Sequence, residues 1–278
     1  NWRKITYLNH SYAYDSLGYE NDISRINFDD IRAEFNSFQK RDKFILTNYA
    51  IEDAIDIDKF NITNTHETNY INTSLLKKDS NRFIKTNRLS NQITIMLGKD
   101  TFSHFKSEYI TLKILESYLA FGMSSLLFKL FREENNLVYE VGIFNPVRKY
   151  KSPFLIYLST SDKNALFAFQ ILLKVWRKII TEKINIEDLN LAKTKLKSSI
   201  LFSKQKNENL IGRKVQLMGF NIDTEYDDYC LKKIETISGE EILKIAYKYL
   251  SNPILSVGGD KKVCSKIEKI WSKNLIGD

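Results

Sequence analysis

At 278 residues and 32.6 kDa, with 43% hydrophobic and 27% charged residues, the chain can bury a full core as one large or two ordinary domains. It has three prolines, ten glycines and no apolar run near the roughly 18 residues of a membrane span, which excludes collagen-like, low-complexity and transmembrane classes. A soluble, cytoplasmic globular chain is expected. The net charge of +8 suits an anionic partner, but equally suits lysines that only solvate helix faces.

The start, Asn1-Trp2-Arg3-Lys4-Ile5, has neither Met nor the apolar stretch of a signal peptide and reads as a cut end. From Asn61 to Leu89 the apolar rhythm breaks into Asn, Thr, Ser and Lys, as in a linker. Beyond it Gln92–Leu97 alternates like a half-buried strand, and Ile110, Ile114, Leu115, Tyr118 and Leu119 fall at helical spacing within Glu108–Phe121. Gly122-Met123-Ser124-Ser125 interrupts that helix and caps a predicted one from Leu126 to Glu134.

Val138–Val147 and Phe154–Ser159 read as a strand pair joined by a short connection. Ser161-Asp162 is positioned to cap a helix bearing Leu166, Phe169, Leu173, Trp176 and Ile180. Ile186-Glu187-Asp188 opens a helical pattern running toward Phe220, and Ser238-Gly239-Glu240-Glu241 opens one ending at Leu250. Pro253 precedes the strand Ile254–Val257, Gly258-Gly259-Asp260 reads as a turn, and a last helix ends near Trp271.

Ile26-Asn27-Phe28-Asp29-Asp30-Ile31 followed by the strand Phe44–Leu46 parallels Ile237-Ser238-Gly239-Glu240-Glu241-Ile242 followed by Ile254-Leu255, at an offset of 211 residues. If the second copy of this repeat starts near Leu89, the first begins about 120 residues before Asn1.

Gly122-Met123-Ser124-Ser125-Leu126-Leu127-Phe128, followed by Arg132-Glu133-Glu134-Asn135-Asn136-Leu137-Val138-Tyr139, resembles the second-half signature of the insulinase/pitrilysin family of zinc peptidases, especially its mitochondrial-processing-peptidase-like branch. His10–Gly18 with Ile26–Ile31 is similar to the end of that family's first domain. Two departures are Leu126, where the family usually has Arg, and Asn136, where it commonly has Gly. A third is the absence of H-x-x-E-H: the histidines are His10, His66 and His104, separated by 56 and 38 residues.

The resemblance implies an α+β fold, a mostly antiparallel sheet backed by long helices, as the second of two repeated metallopeptidase-type halves. Residues 1–60 would end an incomplete zinc half, 61–88 would be a linker, and 89–278 the second, non-zinc domain. It further implies a peptide-binding part of a zinc metalloendopeptidase, with zinc held in a missing or partner half and none bound by this chain. The alternative is a catalytically inactive partner or scaffold subunit of the same family.

Arg132 and Tyr139 are the substrate-binding residues that the resemblance implies. A guanidinium presents a planar fork of donors to a carbonyl or carboxylate, and a phenol can donate to charge developing on a scissile carbonyl. Read without the resemblance, they are a solvated helix-end cation and a strand aromatic with a wet tip. The implied partners are a peptide substrate and the N-terminal zinc half or a homologous subunit, with no membrane and no nucleic acid.

Lys193, Lys195, Lys197, Lys204 and Lys206, with Arg148, Lys149 and Lys151, are raw material for nucleic-acid binding, but no recognition motif accompanies them. Cys230 and Cys264 stand in no metal or redox spacing and read as free thiols. Asp29-Asp30 and Glu240-Glu241 read as helix-cap acids, and Phe121, Phe128, Phe131 and Phe144 as core. Asn9, Asn61 and Asn72 lie in sequons.

Overall fold

The computed structural model describes residues 2–7, 10–39, 82–103, 106–148 and 150–274. The chain divides into two compact units, one of residues 1–6, 78–202 and 227–278, the other of residues 7–77 and 203–226.

The larger unit is built on a five-stranded sheet of β1 (Phe83–Asn87), β2 (Gln92–Asp100), β3 (Val138–Phe144), β4 (Pro153–Ser161) and β5 (Ile254–Gly259). Its order is β1-β5-β2-β4-β3; β1 runs parallel to β5, and the other three pairings are antiparallel. Register follows from period-two side-chain alternation. Ile93, Ile95 and Leu97 of β2 lie opposite Thr160, Leu158 and Ile156 of β4, and all six are buried on one face. On the other face Thr94, Met96 and Gly98 neighbour Ser159, Tyr157 and Leu155. Gly98 is required by contact: a Cβ there would lie 2.4 Å from the Phe154 carbonyl oxygen and 2.7 Å from Leu155 Cα.

The unit's helices are α1 (Trp2–Thr6), α4 (Tyr109–Ala120), α5 (Leu126–Phe128), α6 (Ala165–Thr181), most of α7 (Ile186–Lys204), α9 (Tyr226–Thr236), α10 (Gly239–Leu250) and α11 (Lys261–Lys273). Ala165, Ala168, Phe169, Leu172, Trp176 and Ile180 recur every three or four residues along α6 and are all buried. α10 packs against α4, α6 and β2, while α11 packs against β1, β5 and α6. Two indoles tie the layers: Trp176 Nε1 donates to the Leu250 carbonyl at 3.1 Å, and Trp2 Nε1 to that of Ile254 at 3.1 Å.

The smaller unit contains a 3-10 turn (Ser11–Ala13), α2 (Glu20–Ile23), α3 (Phe28–Gln39) and α8 (Asn207–Gly219). Tyr7, His10 and Leu217 are its buried residues among those described.

The structure departs from the sequence reading in several places. β1 lies inside the stretch that reads as a linker, because Phe83 and Ile84 are too few among Lys, Thr and Asn to announce a strand. The helix expected from Ile186 toward Phe220 is two helices, broken at Gln205-Lys206 without Gly or Pro. Gly258 and Gly259 belong to β5 rather than a turn, and it is Asp260 that caps α11, its Oδ1 accepting from Lys262 N and Val263 N at 2.8 and 3.0 Å. α6 begins after Asn164, so Ser161-Asp162 is not its cap. The strand read at Phe44–Leu46 and the asparagines of the three sequons lie outside the described residues.

Candidate functional site

The segment from Gly122 to Tyr139 departs from regular backbone three times. α5 passes directly into a π-helical turn, Lys129–Glu133, in which Glu134 N donates to the Lys129 carbonyl at 2.9 Å. The turn therefore replaces the last part of the predicted α-helix. It closes through Asn136 at φ 45°, with Leu137 N donating to the Phe131 carbonyl at 2.8 Å. This is a left-handed helix stop, where Gly is the usual residue and Asn the next best tolerated. The departure at Asn136 is thus accommodated by the residue's own chemistry. Asn135 Nδ2 also caps the Leu130 carbonyl at 2.8 Å.

The third irregularity is a bulge at the start of β3. Val138 pairs with Thr160 and Glu140 with Ser159, leaving Tyr139 as the extra residue. The sequence requires it. Strict alternation after buried Val138 would send Glu140 into the core, whereas one extra residue keeps Val138 inside and Glu140 out.

Arg132 therefore sits in a π turn and Tyr139 on a bulge, both features enriched at functional sites. Both side chains are exposed, Tyr139 at 64%. The Arg132 guanidinium lies 5.3 Å from the centroid of the Phe128 ring, a cation–π contact that limits its freedom. Phe128 also lines a cavity of about 200 Å³ with Gly122, Met123, Ser125 and Val141. Lys195 of α7 is held below the usual lysine range by partial burial and, next, by Lys129 of the π turn, with Asp188 acting in the opposite direction.

Residues 52–196, just over half of the chain, match the Peptidase M16 inactive domain. The chain belongs to that family. It is therefore homologous to the insulinase/pitrilysin zinc peptidases. An uncharacterized zinc protease of Rickettsia felis is 30% identical over 177 residues, covering 62% of this chain and 41% of that protein. One of Bacillus subtilis is 23% identical over 224 residues, covering 76% of this chain and 54% of its own length. The chain thus spans about half the length of these relatives. The M16 inactive domain from Pseudomonas fluorescens shares the fold, with a TM-score of 0.74, 16% identity, and coverage of 94% of this chain and 64% of that one.

The described residues do not fit a zinc ion. It lacks H-x-x-E-H, and among the described residues no group of three or more His, Cys, Asp and Glu could hold a metal. His10 is buried with Nδ1 accepting from Tyr12 N at 3.0 Å, while His66 and His104 lie outside the described residues. The missing H-x-x-E-H is in keeping with the description of the matched family as an inactive domain.

Other candidates resolve into structural roles. Asp30 and Glu241 stand at helix starts, and Glu240 pairs with Lys183 at 2.7 Å. Lys193 donates to the Glu235 carbonyl, Lys197 pairs with the Glu235 carboxylate and Lys151 with Asp100, so part of the basic set is already engaged; Lys149 lies outside the described residues. Cys230 and Cys264 are buried and form no disulfide. Of the four phenylalanines read as core, Phe131 is buried but Phe144 is 44% exposed, since it ends an edge strand. The sequence reading placed Phe128 in the core and missed its contact with Arg132; its spacing, one helical turn before an arginine, was the available signal.

Proposed function

We propose that this chain is a catalytically inactive partner in an M16 assembly, presenting a peptide-facing surface around Arg132 and Tyr139 to a zinc-bearing half that lies outside this chain. The observation that carries the reading is the match to the family's inactive domain in a chain without H-x-x-E-H. M16 peptidases typically pair such a domain with a zinc-binding half. Residues 1–60 would then end a first half. The identical length of α3 and α10 at the 211-residue offset supports that placement.

The peptide role rests on chemistry that this chain does hold. Arg132 offers parallel donors to a backbone carbonyl or terminal carboxylate, and its stacking on Phe128 lowers the entropy lost when it binds. Tyr139 offers a hydroxyl donor to a carbonyl oxygen that gains charge. Neither group generates a nucleophile, in keeping with an assisting surface.

A second reading makes the chain the substrate-binding part of a working zinc endopeptidase, and the naming of two relatives as zinc proteases favours it. The metal chemistry would then belong wholly to the other half.

Reconstitution with the zinc half separates the two. Zinc would be measured by elemental mass spectrometry and cleavage with a fluorogenic peptide library. An inactive partner gives an assembly without turnover whose affinity for labelled peptide falls with Arg132→Ala and Tyr139→Phe. A substrate-binding part loses about tenfold or more in kcat/KM with either variant. An unchanged affinity for labelled peptide in both variants would remove the peptide role from either reading.

A further inference from the structure

β3 is an edge strand, held by hydrogen bonds on one side only, and such strands lose definition readily. Its entry is anchored by one residue of β4. Ile156, Leu158 and Thr160 alternate along the buried face of β4, opposite Leu97, Ile95 and Ile93, and Thr160 is fully buried. A valine has nearly the same shape and no polar atom, whereas a buried hydroxyl costs stability unless it is bonded. Here it is bonded: Thr160 Oγ1 donates to the Leu137 carbonyl at 2.6 Å, away from competing water. Asn164 Nδ2, just before α6, stands 3.5 Å from the same oxygen, so the hydroxyl is the close donor.

Both members of the peptide-facing pair hang on Leu137. Its N–H donates to the Phe131 carbonyl at 2.8 Å, and that carbonyl belongs to the peptide link with Arg132 in the π turn. Its own carbonyl, held by Thr160, leads through Val138 into the bulged Tyr139. Thr160 also pairs with Val138 in the ladder. Side chain and backbone of one buried residue therefore hold two successive residues between Arg132 and Tyr139.

We propose that Thr160 is a positioning residue for the peptide-facing pair: its buried hydroxyl, bonded to the Leu137 carbonyl, fixes the π turn that carries Arg132 relative to the bulge that carries Tyr139. The ladder leaves Tyr139 as the extra residue, so its direction depends on how firmly the residues before it are held. The proposal rests on the peptide role of Arg132 and Tyr139. It adds a specific dependence, in which a hydroxyl remote from the peptide sets how well the two groups meet it together.

The test uses the full chain labelled with 3-fluorotyrosine, with the Tyr139 resonance assigned by its loss in Tyr139→Phe. Binding is read on the reconstituted assembly with a fluorescein-labelled random peptide library. Thr160→Val keeps the shape and removes the donor, and Thr160→Ser keeps the donor and removes the methyl group. Thr160→Val should broaden or split the Tyr139 resonance and weaken peptide binding about tenfold, while Thr160→Ser should keep both near the parent. In a chain already carrying Arg132→Ala and Tyr139→Phe, Thr160→Val should weaken binding no further. An unmoved Tyr139 resonance in Thr160→Val, or an equal loss in Thr160→Ser, would overturn the proposal. Should Thr160→Val fail to fold, Thr160→Cys, with its weak thiol donor, is compared with Thr160→Ser and read by the same outcomes. If Arg132→Ala and Tyr139→Phe leave peptide binding unchanged, the peptide role fails, and the fluorine spectrum still decides the positioning by Thr160 independently.

Discussion

Asn27 and Ser238, 211 residues apart, cap two helices of equal length in the same way. Asn27 Oδ1 accepts from Asp30 N at 3.0 Å, and Asp30 returns a bond to Asn27 N at 3.0 Å; Ser238 Oγ accepts from Glu241 N at 3.1 Å. The offset carries all twelve residues of α3 onto those of α10. Packing distinguishes the two. Ile242 and Ala246 of α10 are 2% and 0% exposed, whereas their counterparts Ile31 and Phe35 are 58% and 57% exposed.

This difference predicts unequal costs for equivalent cap deletions. Ser238→Ala should lower the global unfolding free energy by about 1 kcal/mol in urea titration, because α10 is built into the core of the larger unit. Asn27→Ala should leave that transition in place and speed hydrogen exchange only at the first amides of α3. Equal shifts in the global transition would show that α3 is as integral as α10.

The left-handed stop before β3 gives a second prediction. Asn136 holds φ 45°, a conformation strained for any residue with a Cβ and worst for β-branched ones. Asn136→Val should destabilise by about 1–2 kcal/mol, and Asn136→Gly should be neutral or slightly stabilising. The check is thermal unfolding of both variants, and a stabilised valine variant would contradict the geometry.

What was legible in advance followed from periodicity. Ile93, Ile95 and Leu97 alternate, and Phe169, Leu173, Trp176 and Ile180 recur every three or four positions, so a half-buried strand and a long covering helix were readable, while the antiparallel sheet came only from the resemblance. β1 was not, because its pairing depends on β5, some 170 residues later, rather than on its own composition. The π turn at Lys129–Glu133 was hidden as well, since a single turn of altered pitch leaves no periodic trace. Arg132 and Tyr139 could be named from the signature. That one lies on a π turn and the other on a bulge required the tertiary consequence of Glu140 avoiding the core.

A third prediction concerns acid stability. Glu108 precedes α4, and Tyr249 Oη donates to its Oε1 at 3.2 Å. Burial alone would raise this carboxyl, but its backbone amide, Ser107 and Tyr249 donate to it and hold its pKa below the ordinary value. A depressed folded pKa adds stability that is present above the unfolded pKa and is lost as pH falls through the folded one. Tyr249→Phe keeps the ring edge-on to Phe102, at a centroid distance of 4.6 Å, and removes only the donor. The stability gap between parent and variant should therefore be present near neutral pH and close below about pH 4. A gap that widens in acid would reverse the assigned sign.

One substitution should act in opposite directions at two glycines. At Gly98 an added methyl meets main chain, 2.4 Å from the Phe154 carbonyl oxygen and 2.7 Å from Leu155 Cα, and neither can step aside without parting β2 from β4. Gly98→Ala should cost about 3 kcal/mol or more, as overpacking against backbone leaves no rotamer to relax. Gly212 lies within α8, where an added methyl meets nothing within 4 Å. Gly212→Ala should gain up to about 1 kcal/mol of local helix stability from the entropy that glycine otherwise loses. Urea titration reads the first and hydrogen exchange across α8 the second. A tolerated alanine at position 98 would mean that the β2–β4 separation there is looser than the register requires.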